Sequence, residues 1–346
     1  MERGVSEARQ PSRSGQGDPA TVVITGGAGF LGVTLARALL ARSGALAVGQ
    51  LVLVDRVAPP PDLLADVRVR AVTGDLIELL AADGGRVLPV AAGTVVHLAA
   101  AVSGECEADF DLGLRSNLEA SRALLEACRR RAQPLRFVFA SSLAVFGAVP
   151  GYPLPPVVTD QTLPLPQNSY GTQKFIIEQL VADYTRKGFV SGRNLRLMTV
   201  SVRPGRPNGA ASSFLSGIIR EPLAGVRASC PVAPDTPVAL ASPARTIEGL
   251  LKAIDLDDAA WGPAIAFNLP ALTTTPAAMA EALARVAGQA CADRIDWQPD
   301  AAIERIVAGW PSRFDTARAR SLGLAGDPDF DSVIRQYIAA QASAPG

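Results

Sequence analysis

Apolar runs alternate with helical patterns from residue 21 to residue 203. TVVIT at 21–25, LVLVD at 51–55, VRVRAV at 67–72, TVVHLA at 94–99, LRFVFA at 135–140 and NLRLMTVSV at 194–202 are short and rich in β-branched residues. Such runs predict buried strands, because branched side chains pack well on a pleated surface. Between them, 30–42, 109–131 and 170–187 carry helical periodicity. Strands separated by helices of that length predict an α/β fold, a doubly wound parallel sheet covered on both faces with right-handed crossovers.

After Arg203 the texture changes. Proline becomes frequent, and short helical patterns such as 213–223 and 277–288 dominate. This predicts a smaller C-terminal substrate lobe at 204–237 and 269–340, with 238–268 returning to the first domain through strands at 238–240 and 265–268. The first domain runs over 20–203. Residues 1–19 are rich in Gly, Ser, Arg and Pro with no apolar core, which predicts a disordered tail and no signal peptide.

Composition then narrows the chemistry. Thirty-three basic and 33 acidic residues cancel, so charge gives no reason to expect a nucleic-acid or membrane partner. No stretch reaches the roughly 18 apolar residues of a membrane span, so a soluble, cytoplasmic protein is expected. One histidine, His97, cannot build a His-rich zinc site, and no serine on a nucleophile elbow joins it in a triad. A packed histidine is the expected role. Cys106, Cys128, Cys230 and Cys291 form no CxxC pair, and no metal site is expected.

The sequence GGAGFLG at 26–32 follows the first strand and opens a helix. Gly26 permits a tight turn, Gly29 lets the backbone approach a pyrophosphate, and Gly32 allows close helix–strand packing. The helix end beyond, with Phe30 and Leu31, presents free N–H groups to phosphates. This is a dinucleotide cradle, and the sheet is Rossmann-type. Asp55 ends the second strand, where a carboxylate accepts both ribose hydroxyls and repels a 2′-phosphate, favouring NAD over NADP. Arg56 beside it runs counter to that preference. Asp75, before Leu76, either accepts from the adenine amino group or caps the next helix; the two roles are compatible.

YGTQK at 170–174 sets Tyr170 and Lys174 one helical turn apart, on one face. With only three lysines and four tyrosines in the chain, chance rarely produces that spacing. A neighbouring ammonium is what a phenol with an ordinary pKa of ~10 needs to serve as a base near pH 7. Ser141 and Ser142 follow the fifth strand, at the sheet edge where ligands bind. Together with HLAA at 97–100 and SSLAVFG at 141–147, these motifs resemble the extended short-chain dehydrogenase/reductases, the NAD-dependent epimerase/dehydratase family. Phe146 stands where many members have tyrosine.

The resemblance implies NAD as cofactor, Tyr170 as general base, Lys174 as the group that depresses the tyrosine pKa and holds the nicotinamide ribose, and Ser142 as donor to the substrate oxygen. It places Ala99 and Asn117 among the cofactor-binding residues, Asn117 as the family's structural asparagine, a surface polar residue being the alternative. It also implies a homodimer or higher homo-oligomer, built on 109–131 and 170–187. Leu143 and Ala144 replace the acidic pair of sugar dehydratases. Longer stretches, SGECEADFDLGLRSNL at 103–118, VRPGRPNGAASSFLSGIIREPL at 202–223 and WPSRFDTARARSLGL at 310–324, resemble the D-erythronate dehydrogenases, which oxidise C2 of a four-carbon sugar acid. A small polyhydroxy acid needs one cation and several hydroxyl or amide groups. Arg245, Ser103, Asn208, Ser212 and Ser213, with Ser142 and Tyr170, are the candidates, and Arg203 and Arg206 are alternative cations. A nucleotide-sugar 4-epimerase using bound NAD is the second expectation.

Overall fold

A computed structural model describes residues 20–205 and 210–342. The tail expected at 1–19, and Arg206 and Asn208, lie outside the described residues. The strands are β1 Ala20–Thr25, β2 Val48–Asp55, β3 Val69–Thr73, β4 Ala92–His97, β5 Arg136–Ser142, β6 Ser191–Leu197, β7 Thr199–Val200, β8 Ala228–Cys230, β9 Val238–Ala241, β10 Phe267–Asn268, β11 Leu272–Thr274 and β12 Ile295–Trp297. Seven of them form one parallel sheet in the order β3-β2-β1-β4-β5-β6-β10. The order reverses at β1, which pairs with β2 on one side and β4 on the other. That reversal opens a crevice at the carboxyl ends of the strands.

Alternation along each strand builds two core layers. Val22 and Ile24 face Leu35 and Leu39 of the helix Phe30–Leu40 and Leu250 of the helix Pro243–Asp255. Val23 faces the other way, into a layer with Phe137, Phe139, Leu124 and Ile177. Burying side chains of this kind contributes about 1.5–3 kcal/mol each, which fixes the strand register against a one-residue slip.

Three expectations are modified. The pattern at 194–202 is split: β6 joins the large sheet, while β7 pairs with β9 in a separate three-stranded sheet completed by β11. Consequently β9, at 238–241, does not return to the large sheet, whereas β10 does, beside β6. The single helix expected over 109–131 is broken into Phe110–Gly113, a π-helical turn Leu114–Glu119 and Ala120–Arg129. The π turn carries the side chain of Asn117 inward, and the bonds that it makes there offset the disturbed ladder.

Beyond β6 a further core gathers Leu215, Ile218 and Ile219 of the helix Phe214–Leu223 with Met279 and Leu283 of Pro276–Ala287 and Val333 and Ile334 of Phe330–Ala342. It backs the far end of the crevice, which Arg220 and Trp310 line. All four cysteines are buried and free. Among the described residues no helix is long and apolar enough to cross a membrane.

Candidate active site

A cleft of about 730 Å³ runs along the carboxyl edge of the large sheet, from Asp55 and Asp75 at one end to Arg203, Arg220 and Trp310 at the other. The glycine loop forms its floor. Gly26 has φ +72°, and a Cβ there would come 2.7 Å from the Ala99 nitrogen. A Cβ on Gly32 would fall 2.1 Å from the Gly26 carbonyl oxygen, so both positions exclude any side chain. Gly29 is different: its Cβ would meet only the Gly26 oxygen, at 3.3 Å. As N-cap of Phe30–Leu40 it supplies no side-chain cap, which leaves the first-turn N–H groups facing the cleft. This backbone cradle suits a pyrophosphate. Phe30, Leu31, Leu76 and Ala99 also line the cleft.

Asp55 ends β2 with its Oδ2 accepting from the Ala28 nitrogen at 2.9 Å and its Oδ1 from the Arg56 nitrogen at 2.7 Å. The loop and the carboxylate therefore hold each other, and the residues present fit an adenosine ribose. Asp75 caps the helix Leu76–Val87 by accepting from Ile77 and Glu78, and it pairs with Arg115 at 3.4 Å. Its capping role is thus made while it still lines the cleft.

At the centre, Asn168 caps the helix Ser169–Arg186, accepting from the Gly171 nitrogen at 2.7 Å. The first turns of that helix carry Tyr170 and Lys174 to the end of β5. The Lys174 ammonium donates to the Ala140 carbonyl at 2.8 Å and lies 5.5 Å from the centre of the Tyr170 ring. Burial pulls the Lys174 pKa down to about 8. Burial also pushes the Tyr170 phenol up to about 12, with the Ser142 hydroxyl beside it acting in the opposite sense. Ser142 and Ser141 diverge because successive residues of a strand point to opposite faces. Ser142 lines the cleft and caps the next turn through the Ala144 nitrogen at 3.1 Å. Ser141 is buried and donates to Glu178, which Arg196 holds in a two-pronged ion pair at 2.7 and 2.9 Å.

Asn117 does not touch the cleft and is no surface residue. Its amide clamps the backbone of Ala101 (Ala101 N to Oδ1, 2.8 Å) and donates to Gln173 Oε1 at 2.7 Å and to the Cys106 sulfur at 3.3 Å. It fixes the strand exit and the neighbour of Lys174 together. His97 is fully buried, with Nδ1 2.6 Å from the Thr25 hydroxyl and Nε2 2.7 Å from that of Ser121. Ser121 donates onward to the Asn117 carbonyl, so it accepts from His97 and the ring is the neutral Nε2–H form.

The candidate substrate residues separate. Ser103, first residue of the helix Ser103–Ala108, and Ser212 line the cleft; Ser213 does not. Arg245 is corrected. Ser242 and Pro243 start a helix that turns Arg245 outward, where it pairs with Glu248 at 2.7 Å, away from the cleft. In its place stand Arg203 and Arg220. Arg220 escaped the sequence reading, although a cation inside the apolar pattern of Phe214–Leu223 is the signal that marks it: residues 215–219 around it are buried.

A Rossmann cradle, a Tyr–Lys pair on one helix turn and a serine at the end of β5 define a nicotinamide-dependent enzyme, and the chain belongs to the NAD dependent epimerase/dehydratase family, whose model matches residues 22–236. Within it, the chain is 53% identical to D-erythronate dehydrogenase of Cupriavidus necator over 92% of its own length and 97% of that protein. It is 42% identical to D-erythronate dehydrogenase of Haemophilus influenzae, over 92% and 98%. The crystal structure of the nucleoside-diphosphate-sugar epimerase from Agrobacterium tumefaciens superposes with a TM-score of 0.83 at 35% identity, covering 97% of this chain and 99% of that one.

Proposed function

We propose that the protein oxidises D-erythronate to 2-dehydro-D-erythronate with NAD. The observation that carries this reading is one continuous cleft in which Tyr170 and Ser142 lie between the glycine cradle and an arginine pair. The cradle of Gly26, Gly29 and Gly32, with Asp55, would hold the dinucleotide, and Asp55 favours NAD over NADP. When bound, NAD+ supplies the hydride acceptor and a positively charged ring. Everything else is done by the chain's own side chains. Arg203 and Arg220 hold the carboxylate, and Ser103 and Ser212 are placed to bond the hydroxyls.

Tyr170, as phenolate, takes the proton of the C2 hydroxyl. Burial keeps the phenol protonated at rest even with Lys174 5.5 Å from the ring centre, so the expected depression of its pKa by Lys174 alone is not met; the positive charge of bound NAD+ would add to that of Lys174 in favouring the phenolate. Ser142 donates to the oxygen as it becomes a carbonyl. Leu143 and Ala144 supply no acid or base for dehydration.

The test is NADH formation with D-erythronate. Tyr170→Phe is expected to lower kcat by about 10²–10⁴-fold with NAD still bound. Arg203→Met is expected to raise KM for D-erythronate while the affinity for NADH persists. Net NADH production that is absent with sugar acids, together with tight UDP-sugar binding, would instead support the 4-epimerase.

A further inference from the structure

The carboxylate end of the cleft carries more cations than one sugar acid needs. Among the described residues, Lys174, Arg203 and Arg220 line the catalytic end, with the exposed Glu105 nearby, while Asp55 and Asp75 line the other end. Arg203 and Arg220 stand close: the Arg220 Nη1 donates to the Arg203 carbonyl at 2.9 Å, and the two charges repel. Behind Arg220, off the cleft lining, sits Glu221. Its Oε1 accepts from the Arg220 Nη2 at 2.6 Å, while its Oε2 is buried without a partner. A buried carboxylate oxygen with no donor is costly, and the arrangement adds no second bond to offset it. What Glu221 does contribute is charge. Counted against Arg203 and Arg220, it leaves one net positive charge on the subsite among the described residues, the complement of a single carboxylate.

We propose that Glu221 is a specificity-determining residue, holding the Arg203–Arg220 subsite to one net positive charge so that it takes monocarboxylate sugar acids and rejects dianions of the same length. Glu221 does not touch the substrate; it acts through Arg220. The inference rests on the assignment of Arg203 and Arg220 as the carboxylate subsite. A second carboxylate or a phosphate on the substrate would enter a subsite whose described side chains leave no further net charge to meet it, and one charge at contact distance shifts affinity by about tenfold or more.

The experiment is calorimetric binding to the enzyme–NADH complex, in which no turnover occurs, of D-erythronate and of meso-tartrate, a four-carbon dianion. The wild type is expected to bind D-erythronate at least about tenfold more tightly than meso-tartrate. Glu221→Gln keeps the hydrogen-bond acceptor for Arg220 and removes the charge, and is expected to narrow that ratio by about tenfold. Glu221→Asp, which keeps the charge, is expected to preserve it. A Glu221→Gln enzyme that binds D-erythronate with the wild-type ratio overturns the proposal. Should that variant not fold, equal affinity of the wild type for the two acids overturns it as well. A wild type that binds neither acid refutes the substrate assignment, and with it this inference; that failure is visible before any substitution is made.

Discussion

His97 shows what one residue does when burial dominates its chemistry. Burial lowers its pKa from 6.5 to about 3, and the Lys174 charge adds to the effect. The folded chain therefore binds fewer protons than the unfolded chain between those values. The contribution to stability is complete above pH 6.5 and is lost as pH falls toward 3. Glu126 and Asp66, held down to about 2 by arginine partners, contribute stability above the ordinary carboxylate range and lose it only as pH falls from that range toward 2. Because the chain has no other histidine, loss of stability between pH 6.5 and 4.5 belongs to this ring. Urea unfolding midpoints should fall across that window in the wild type and stay nearly level in His97→Gln. Equal slopes would show that the ring is not the group responsible.

Among the elements, the helix Ser169–Arg186 does most to assemble the site, and Glu178 is its anchor. Glu178 binds Arg196 of β6 and accepts from Ser141 of β5, so one buried carboxylate sets the helix against two strands. Removing one partner of such a pair leaves an uncompensated buried charge and costs about 3–5 kcal/mol, whereas replacing both by apolar residues costs far less. Glu178→Gln should lower stability by that amount in urea unfolding, and Glu178→Met with Arg196→Met should recover much of it. A single variant as stable as the wild type would show that the pair does not tie the helix to the sheet. The helix itself was legible in the sequence at 170–187, because its periodicity is local. This tie was not, since 18 residues separate Glu178 from Arg196 and no short-range pattern connects them.

At the scale of the molecule, the cleft lies between the large sheet and the C-terminal lobe, and binding there couples to the whole fold. A ligand at 100 times its Kd adds about 2.7 kcal/mol to stability. NAD should therefore raise the unfolding temperature by more than NADP at equal concentration, because the Asp55 carboxylate at the end of β2 would repel a 2′-phosphate. An equal or larger shift with NADP would mean that Arg56 governs the choice.

Local features were decided by the sequence alone. The strand–glycine–helix turn, the Tyr170–Lys174 spacing and the strand-ending Asp55 each depend on a few neighbouring residues, and local stereochemistry allows them few other conformations. The tertiary structure decided what depends on packing between distant segments. It turned Arg245 outward through the cap at Ser242, drew Arg220 from an apolar helix to the cleft, and placed Glu221 behind it. It also broke the helix at Asn117, because bonds to Ala101 and Gln173 outweigh a regular ladder there. A charge pattern along the chain records which cations exist; only the packed lobe determines which of them face the cleft.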